Sequence, residues 1–359
     1  MRIGIIGSLD FGSHSGALTR ASRIYSLLSN HHDVTFFNVN TVNTEPVPED
    51  IEGYNLALRP KWLPLTGREL VAGCRTPFVA DTHDLDLVWA YNSFQHTPLI
   101  GYVTARYLDV PLVVGVNDHR HGQGIKGYLV NNLARRRVLE SADLIVYESK
   151  TLERNIVESG VMSGRSLVVP TGIDTEDYYL PEVSLSEDPS IFYVGRDKDI
   201  DLLLDAAELV HEEVPSVTVR LAGVSADAYP RYAEHPYIEF LGYVSESQLR
   251  REMARAHVAT VPYRNAETAG RPVKILEYMS VEKCIVATDL PFNTQMLTDG
   301  ENAIITEATP RSFADGLLRG ITNPELRDRL SSQARDDIAE YSLAVMEDKL
   351  QRAVRLATQ

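Results

Sequence analysis

The sequence predicts an α/β protein with two doubly wound parallel-sheet domains. The chain has 359 residues, a length that usually makes two domains. Short apolar runs alternate with amphipathic stretches through both halves, which is typical of strands joined by crossover helices. The segment 182–190 is acidic and poor in apolar residues, so it reads as a linker between the halves.

In the first half, apolar runs predict the strands and helical spacing of apolar residues predicts the helices. The predicted strands are 2–7, 34–40, 86–92, 110–116 and 143–149, and the predicted helices are 17–30, 98–108 and 126–142. The region 41–75 shows neither pattern and is expected to be irregular.

The second half repeats the alternation, beginning with a strand and helix in 190–210. Ser245 followed by Gln248 has the spacing of a capping box and predicts a helix start. Further strands are predicted at 217–223, 238–244, 257–263 and 284–287, and helices at 245–256, 310–322, 324–340 and 343–357.

Composition excludes several classes of protein. A formal net charge of -15 argues against a nucleic-acid partner, which needs a basic surface. No apolar run is long enough for a transmembrane helix. Two cysteines, Cys74 and Cys284, cannot build a metal cluster, and they favour a reducing cytoplasm. Seven lysines against 28 arginines, with this acidic excess, fit either a salt-adapted source or an ordinary acidic cytosolic enzyme.

The segment 267–289 has the strongest functional pattern: a polar loop, a short apolar helix and a buried strand. Lys274 and Glu277 stand three residues apart on that helix and can share a face. The helix N-terminus and the loop before it can bind an anion. A surface ion pair is the alternative interpretation of the two charges.

Glycines after the first strand suggest a second phosphate-binding loop. Gly7, Gly12 and Gly16 do not have the G-x-G-x-x-G spacing of dinucleotide-binding proteins. The second strand ends in Asn38 and Asn40, without the acid that would bind a ribose. The sequence therefore disfavours a nicotinamide cofactor.

Segment 267–289 resembles the donor-binding signature of the retaining GT-B glycosyltransferases, in which two glutamates stand eight positions apart before a buried strand. Glu277 matches the second glutamate, and 283–288 matches the strand. Ala269 stands where the first glutamate is expected, and Glu282 stands where the family has glycine. The passages 141–181 and 190–210 are also similar to the family, so the resemblance covers nearly the whole chain.

The resemblance implies the GT-B fold, with two Rossmann-like domains facing a cleft. The first would comprise residues 1–172 on the acceptor side with the terminal helix 343–359 packed on it, and the second, residues 173–342, would bind the donor. Arg196 would grip the donor diphosphate with Lys198 or Lys274, and Glu277 would hold its ribose. The donor-binding residues implied are Ser15, Gly16, Arg196, Lys198, Glu267, Gly270, Lys274 and Glu277.

The acceptor side is expected in the first domain. The loop 117–124 is rich in titratable groups, and the resemblance places Asp118 and His119 near the transferred sugar, as orienting groups or proton carriers. A solvated loop is the alternative. The region 41–75 is a candidate lid. Arg135, Arg136 and Arg137 are candidates for contact with anionic lipid headgroups, or are merely solvated.

Together these features predict a retaining hexosyltransferase with Asp118, His119 and Glu277 in its catalytic site. It would use a nucleoside diphosphate sugar and a glycan acceptor, carried by a lipid, in surface glycan or protein N-glycan assembly. No cofactor, no metal and no nucleic acid are expected, and the location would be cytoplasmic, at the inner membrane face. A nucleoside diphosphate sugar 2-epimerase or a non-catalytic donor-binding subunit are the alternatives.

Overall fold

A computed structural model describes residues 1–12, 16–40, 46–56, 65–92, 96–117, 135–161, 164–195, 200–265 and 273–359, with backbone alone for 65–70. The chain forms two compact units. Unit 1 comprises Met1–Gly172 and Leu343–Gln359, and unit 2 comprises Ile173–Ser342.

Unit 1 contains a seven-stranded parallel sheet in the order β3-β2-β1-β4-β5-β6-β7. Its strands are β1 Arg2–Gly7, β2 Asp33–Asn38, β3 Gly53–Asn55, β4 Leu87–Ala90, β5 Leu112–Val116, β6 Leu144–Tyr147 and β7 Ser166–Val168. Its helices are α1 Gly16–Ser29, α2 Leu65–Asp81, α3 Thr97–Leu108, α4 Arg135–Glu140, α5 Lys150–Glu158 and, at the C-terminus, α11 Leu343–Ala357.

The sheet of unit 1 is buried on both faces, which explains the nearly continuous apolar strands. Alternate side chains of β1 point to opposite faces: Ile3 and Ile5 pack with α1 and α11, whereas Ile6 packs with α2, α3 and α4. Gly101 allows α3 to approach the sheet closely, because a Cβ there would lie 2.7 Å from Ala90 Cβ.

Unit 2 contains a six-stranded parallel sheet in the order β10-β9-β8-β11-β12-β13. Its strands are β8 Ser190–Val194, β9 Thr218–Ala222, β10 Ile238–Gly242, β11 Val258–Val261, β12 Cys284–Thr288 and β13 Ile304–Thr306. Its helices are α6 Asp201–Glu213, α7 Glu246–Arg255, α8 Val273–Ser280, α9 Pro310–Thr322 and α10 Pro324–Asp337, with short 3₁₀ turns at Ala226–Ala228 and Ile338–Tyr341.

The two faces of this second sheet carry separate apolar clusters. Helices α6 and α9 cover one face through residues such as Leu203 and Phe313, and α7 and α8 cover the other through Met253 and Ile275. The predicted helix start is seen at α7, where Ser245 is the N-cap and its Oγ accepts from the Gln248 amide at 3.3 Å. Both units are therefore Rossmann-like, and the predicted fold class is confirmed.

The expectation of an irregular region 41–75 is wrong for residues 53–55 and 65–75. Residues 53–55 form the edge strand β3, and α2 begins at Leu65. The strand is too short to show alternation, and Gly73 and Pro77 interrupt the helical pattern of α2. Of the predicted helix 126–142, Arg135–Glu140 is helical, and 126–134 lies outside the described residues.

Ligands of open α/β sheets bind outside the carboxyl ends of the strands, where the strand order reverses. In unit 1 the reversal falls between β1 and β4, and in unit 2 between β8 and β11. These two edges are therefore the places to look for functional side chains.

Candidate functional site

In unit 2, the loops after β8 and β9 approach each other so closely that the loop after β9 needs glycine at position 223. The Gly195 amide donates to the carbonyl of Ala222 at 3.0 Å. A Cβ on Gly223, whose φ is +76°, would lie 2.5 Å from the Gly195 carbonyl oxygen. The carboxyl end of β8 therefore presents bare backbone, which is what a phosphate group needs for close approach.

Lys274, in the first turn of α8, extends its ammonium group to this same edge. Its side chain is only 8% exposed, and a Cβ on Gly195 would lie 2.7 Å from Lys274 Nζ. Two aromatic rings enclose the ammonium: the centroid of Tyr193 lies 3.9 Å from Nζ and that of Tyr263 lies 5.1 Å away. Such cation–π contacts partly compensate a buried cation for lost water.

Among the described residues, no atom accepts a hydrogen bond from Lys274 Nζ. Burial lowers the pKa of Lys274 from 10.5 to about 7, and the nearby Glu277 carboxylate opposes this shift only in part. A bound anion would stabilise such a buried amine, because it would supply both a hydrogen-bond acceptor and an opposite charge.

Glu277 lies one turn after Lys274 on α8 and is half-buried. The Tyr178 hydroxyl donates to Glu277 Oε1 at 3.4 Å. The Tyr178 ring in turn lies 4.6 Å from the Arg250 guanidinium carbon, and Arg250 forms an ion pair with Asp177 at 2.6 Å. The position of the Glu277 carboxylate is therefore supported by neighbours outside its own helix.

A tyrosine connects α8 directly to the end of β8. The Val194 amide donates to Tyr278 Oη at 3.0 Å, which fixes the helix that carries Lys274 and Glu277 against the strand that leads into Gly195. Sequence reasoning missed Tyr193, Tyr263 and Tyr278. In the sequence, each of these tyrosines is simply an aromatic residue next to a predicted motif. Such residues are equally typical of a buried core position.

Helix α8 ends in a Schellman motif that explains the departure at Glu282. The Lys283 amide donates to the Tyr278 carbonyl and the Glu282 amide to the Met279 carbonyl, at 3.0 and 3.1 Å. Glu282 has a φ of +56°, in the left-handed region that favours glycine. This turn explains why the resembling family has glycine here.

In unit 1, Asn38 and Asn40 hold the loop that follows β1. Asn38 Oδ1 accepts from the Leu9 amide at 3.0 Å, and both asparagines donate to the Leu9 carbonyl. The amides thus fix the loop that leads towards α1.

A buried arginine organises the carboxyl edge of the unit 1 sheet. Arg20 of α1 donates to Asn117 Oδ1, to Thr171 Oγ1 and to the Val169 carbonyl, at 3.0, 3.0 and 2.7 Å. Thr171 also donates to the buried Glu148 at 2.7 Å. The network ties α1 to the start of the predicted functional loop 117–124 and to the segment that follows β7. The sequence indicates a buried position for Arg20 in one way: it stands four residues before Ile24, on the apolar side of α1.

Of the predicted site residues, Lys274 and Glu277 lie together on α8, and Gly16 is the first residue of α1 in the other unit. The remaining predicted residues lie outside the described ones: Ser15, Asp118, His119, Arg196, Lys198, Glu267 and Gly270. The interpretation of three surface arginines on α4 is wrong for one of them, because Arg135 is buried and its pKa is lowered by that burial.

Within the described residues, no cluster of three or more histidine, cysteine or acidic side chains could hold a metal ion. Nor does any helix in those ranges have the length and apolar character needed to cross a bilayer.

Comparison with known proteins finds glycosyltransferase domains in both halves of the chain. Residues 15–172 match the glycosyl transferase 4-like domain, and residues 188–323 match glycosyl transferases group 1. A phosphatidyl-myo-inositol mannosyltransferase of Mycobacterium tuberculosis is 25% identical over 267 residues, which are 69% of this chain. The match spans only 64% of the length of that mannosyltransferase.

Solved structures show the same fold across the whole chain. HepE of Anabaena, solved with UDP and glucose, has a TM-score of 0.78 at 16% identity and covers 98% of this chain and 99% of its own. Sucrose-phosphate synthase of Thermosynechococcus elongatus has a TM-score of 0.77 at 15% identity, with 99% and 98% covered. The two family matches take in most of the chain, and the chain therefore belongs to the glycosyltransferases of the group 1 and 4-like families, with the GT-B fold.

Proposed function

We propose that the protein transfers a hexose from a nucleoside diphosphate sugar to a lipid-linked glycan acceptor, with retention of anomeric configuration. The observation that carries the proposal is the pairing on α8 of two charged groups beside the bare backbone of Gly195: the enclosed Lys274 ammonium, which has no hydrogen-bond acceptor among the described residues, and the supported Glu277 carboxylate. Retention rests on the family resemblance.

The charge of the donor diphosphate explains why the site would need a cation such as Lys274. As the glycosidic bond breaks, the leaving nucleoside diphosphate gains negative charge, and a fixed cation lowers the barrier by stabilising it. Lys274 would supply one such charge. Arg196 and Lys198, which directly follow Gly195 in the chain, would supply others, and Arg196 can meet two phosphate oxygens at once.

Glu277 has the complementary role at the nucleoside end. Its carboxylate would accept hydrogen bonds from the ribose hydroxyls, and Tyr178 would keep it in place. Glu267 and Gly270, in the segment before α8, would complete the donor contacts. Ser15 and Gly16 are the residues of unit 1 that the family resemblance assigns to donor binding.

The acceptor would use groups of unit 1. Asp118 and His119 follow Asn117, which Arg20 and the Tyr91 carbonyl hold in place at 3.0 and 2.9 Å. They would orient the acceptor or carry its proton. No carboxylate is assigned as a nucleophile, so no double displacement is proposed. The reaction needs no metal where lysine, arginine and helix N-termini neutralise the diphosphate.

The acceptor class draws support from the matched mannosyltransferase, whose named substrate is phosphatidyl-myo-inositol. UDP as the nucleotide draws support from HepE, solved with UDP-glucose. A surface-glycan or protein N-glycan pathway at the cytoplasmic membrane face is the biological role that fits such an acceptor.

A donor panel tests the proposal. The purified protein would be incubated with UDP-, GDP- and ADP-hexoses and a polyprenyl-diphosphate oligosaccharide, and the products analysed by mass spectrometry. Hexose transfer supports the proposal. Isomerised nucleotide sugar would mean an epimerase, and nucleotide binding with no product would mean a donor-binding subunit; either outcome contradicts it.

A further inference from the structure

Arg20 of α1 is a buried cation at the carboxyl edge of the unit 1 sheet, with only 2% of its surface exposed. Its Nε donates to Asn117 Oδ1 at 3.0 Å, directly after β5. Its two other guanidinium nitrogens donate to Thr171 Oγ1 and to the Val169 carbonyl, in the segment after β7. Because burial of a charge costs stability unless the charge is well paired, the partners of this arginine indicate what it does.

Glu148, directly after β6, supplies the opposite charge through one hydroxyl group. Thr171 Oγ1 accepts from Arg20 at 3.0 Å and donates to Glu148 Oε1 at 2.7 Å, and both charged side chains are buried. A lysine could also provide a positive charge opposite Glu148. The planar fork of arginine is needed because the same side chain also bonds to Asn117 and to the Val169 carbonyl.

Tyr91, directly after β4, closes a ring of contacts that begins and ends in α1. Its hydroxyl donates to the Ala17 carbonyl at 2.6 Å, and its own carbonyl accepts from Asn117 Nδ2 at 2.9 Å. Burial raises the pKa of the Tyr91 hydroxyl, which Arg20 opposes and Glu148 reinforces, so the hydroxyl stays protonated and donates. We call these four residues the Arg20 ring: Ala17, Arg20, Tyr91 and Asn117.

The Arg20 ring lies at the carboxyl edge where the strand order of unit 1 reverses, between β1 and β4. It connects two segments with proposed roles: α1 begins at Gly16, and Asn117 begins the loop 117–124. The ends of β4 and β5 meet closely here, since a Cβ on Gly115 would lie 2.4 Å from the Tyr91 carbonyl oxygen. The ring therefore fixes the start of the loop relative to the first turns of α1.

We propose that Arg20 is a positioning residue for sugar transfer: together with Tyr91 it holds Asn117, and thereby the start of the loop 117–124, in place relative to α1. Arg20 is buried and acts only through Asn117, without touching a substrate. Reacting groups must be held close to their productive geometry, since a displacement of about 1 Å can lower turnover roughly 100-fold. The inference rests on the proposed function, because the transfer reaction is what requires this placement.

Steady-state kinetics of hexose transfer, with calorimetry of UDP binding, tests this role in the full chain. Arg20→Lys keeps the charge opposite Glu148, but one ammonium cannot reach all three acceptors of the guanidinium. It should lower kcat by roughly 10- to 100-fold and leave UDP affinity within about threefold. Tyr91→Phe deletes a hydroxyl of the Arg20 ring and should also lower kcat. Tyr25→Phe is the matched control: it deletes a hydroxyl of α1 that accepts from the Glu52 amide, outside the ring, and should keep the wild-type kcat.

Hydrogen exchange measured by mass spectrometry tests the placement without requiring turnover. Peptides that cover 113–124 should exchange severalfold faster in Arg20→Lys and Tyr91→Phe, and at the wild-type rate in Tyr25→Phe.

A wild-type kcat in Arg20→Lys would mean that Arg20 only neutralises Glu148, and would overturn the proposal. Unchanged exchange of 113–124 in Arg20→Lys, or an equal loss of kcat in Tyr25→Phe, would overturn it as well. If the wild-type protein transfers no hexose from any donor while exchange is faster in the two ring variants, the proposed function is rejected and the placement of the loop 117–124 by Arg20 is supported.

Discussion

Lys274 Nζ lies 3.9 Å from the centroid of the Tyr193 ring, at the carboxyl end of the strand that leads into Gly195. The ammonium is buried, and within the described residues it has aromatic faces rather than a carboxylate as its direct partners. A cation in this setting costs folding energy unless a ligand stabilises it. A bound anion would therefore stabilise this lysine in its charged form.

Nucleoside diphosphate affinity should fall as pH rises above about 7, by at most tenfold per pH unit, since the diphosphate needs the charged form of Lys274. The groups around this amine are Glu277 of α8, Tyr193 at the end of β8 and Tyr263 after β11. Calorimetry between pH 6 and about 9 should show proton uptake on binding. Lys274→Met should bind weakly and lose this pH slope, and the exposed Lys150→Met should keep it. An unchanged slope in Lys274→Met would contradict the assignment.

The same lysine should affect stability in the opposite direction. Its folded pKa is about 7 against an ordinary 10.5, so the unfolded chain binds more protons between these values. The contribution of Lys274 to the free energy of unfolding therefore rises with pH across this window. Lys274→Met should be more stable than the wild type in denaturant titrations, most of all below pH 7, and the difference should shrink towards pH 10. A difference that grows with pH would reject this account.

Glu277→Ala should abolish sugar transfer while leaving the fold intact. The carboxylate is half-buried, and the apolar neighbours Ile275 and Leu276 on α8 are buried without it. Loss of charged hydrogen bonds to a ribose should lower kcat/KM by roughly 100-fold or more. Thermal melting should show little change, and the exposed Glu301→Ala should retain full activity. Near wild-type turnover in Glu277→Ala would remove this residue from the donor site.

Arg196→Ala should weaken nucleoside diphosphate binding by about 1.5–3 kcal/mol, the range for a charged hydrogen bond. The expected cause is loss of a bidentate contact with the phosphates. Calorimetric titration with UDP measures the effect. Arg311→Ala, on the exposed side of α9, is the matched control and should bind UDP unchanged. Equal affinities for the two variants would mean that Arg196 does not contact the diphosphate.

Glu282→Gly should stabilise the protein by about 1 kcal/mol, because glycine adopts a φ of +56° without a steric penalty. This corresponds to a rise in Tm of roughly 2–4 °C for a domain of this size. Glu301→Gly, in a turn whose φ is not positive, should gain nothing. The melting temperatures of the two variants are compared with that of the wild type. A lower Tm for Glu282→Gly would show that the glutamate side chain makes a compensating contact.

Strands and long helices were predictable because their side chains reflect burial directly. β12, Cys284–Thr288, reads as a continuous apolar run since both faces of its sheet are covered. Helix α2 was not predictable, because Gly73 and Pro77 mask its period, and β3 has only three residues. The spacing of apolar residues therefore does not predict these two elements, whose structure depends on tertiary packing.

The candidate site divides in the same way. Lys274 and Glu277 could be predicted, since an ionisable pair in a short apolar helix is unusual. The roles of Tyr193 and Tyr263 could not, because these residues are adjacent to the lysine only after two strands and α8 have packed together. Arg20 likewise reads as an ordinary helix residue until the fold brings Asn117 and Thr171 to it.

The most direct test of the account is NMR of the transfer reaction with a UDP-hexose labelled with ¹³C at the anomeric carbon. Incubation with the lipid-linked acceptor should convert the donor signal into a glycoside signal of the same anomeric configuration, and Glu277→Ala should show none. A glycoside of opposite configuration would reject retention. A donor signal that persists with UDP-, GDP- and ADP-hexoses alike, or that moves to an epimeric nucleotide sugar, would contradict sugar transfer.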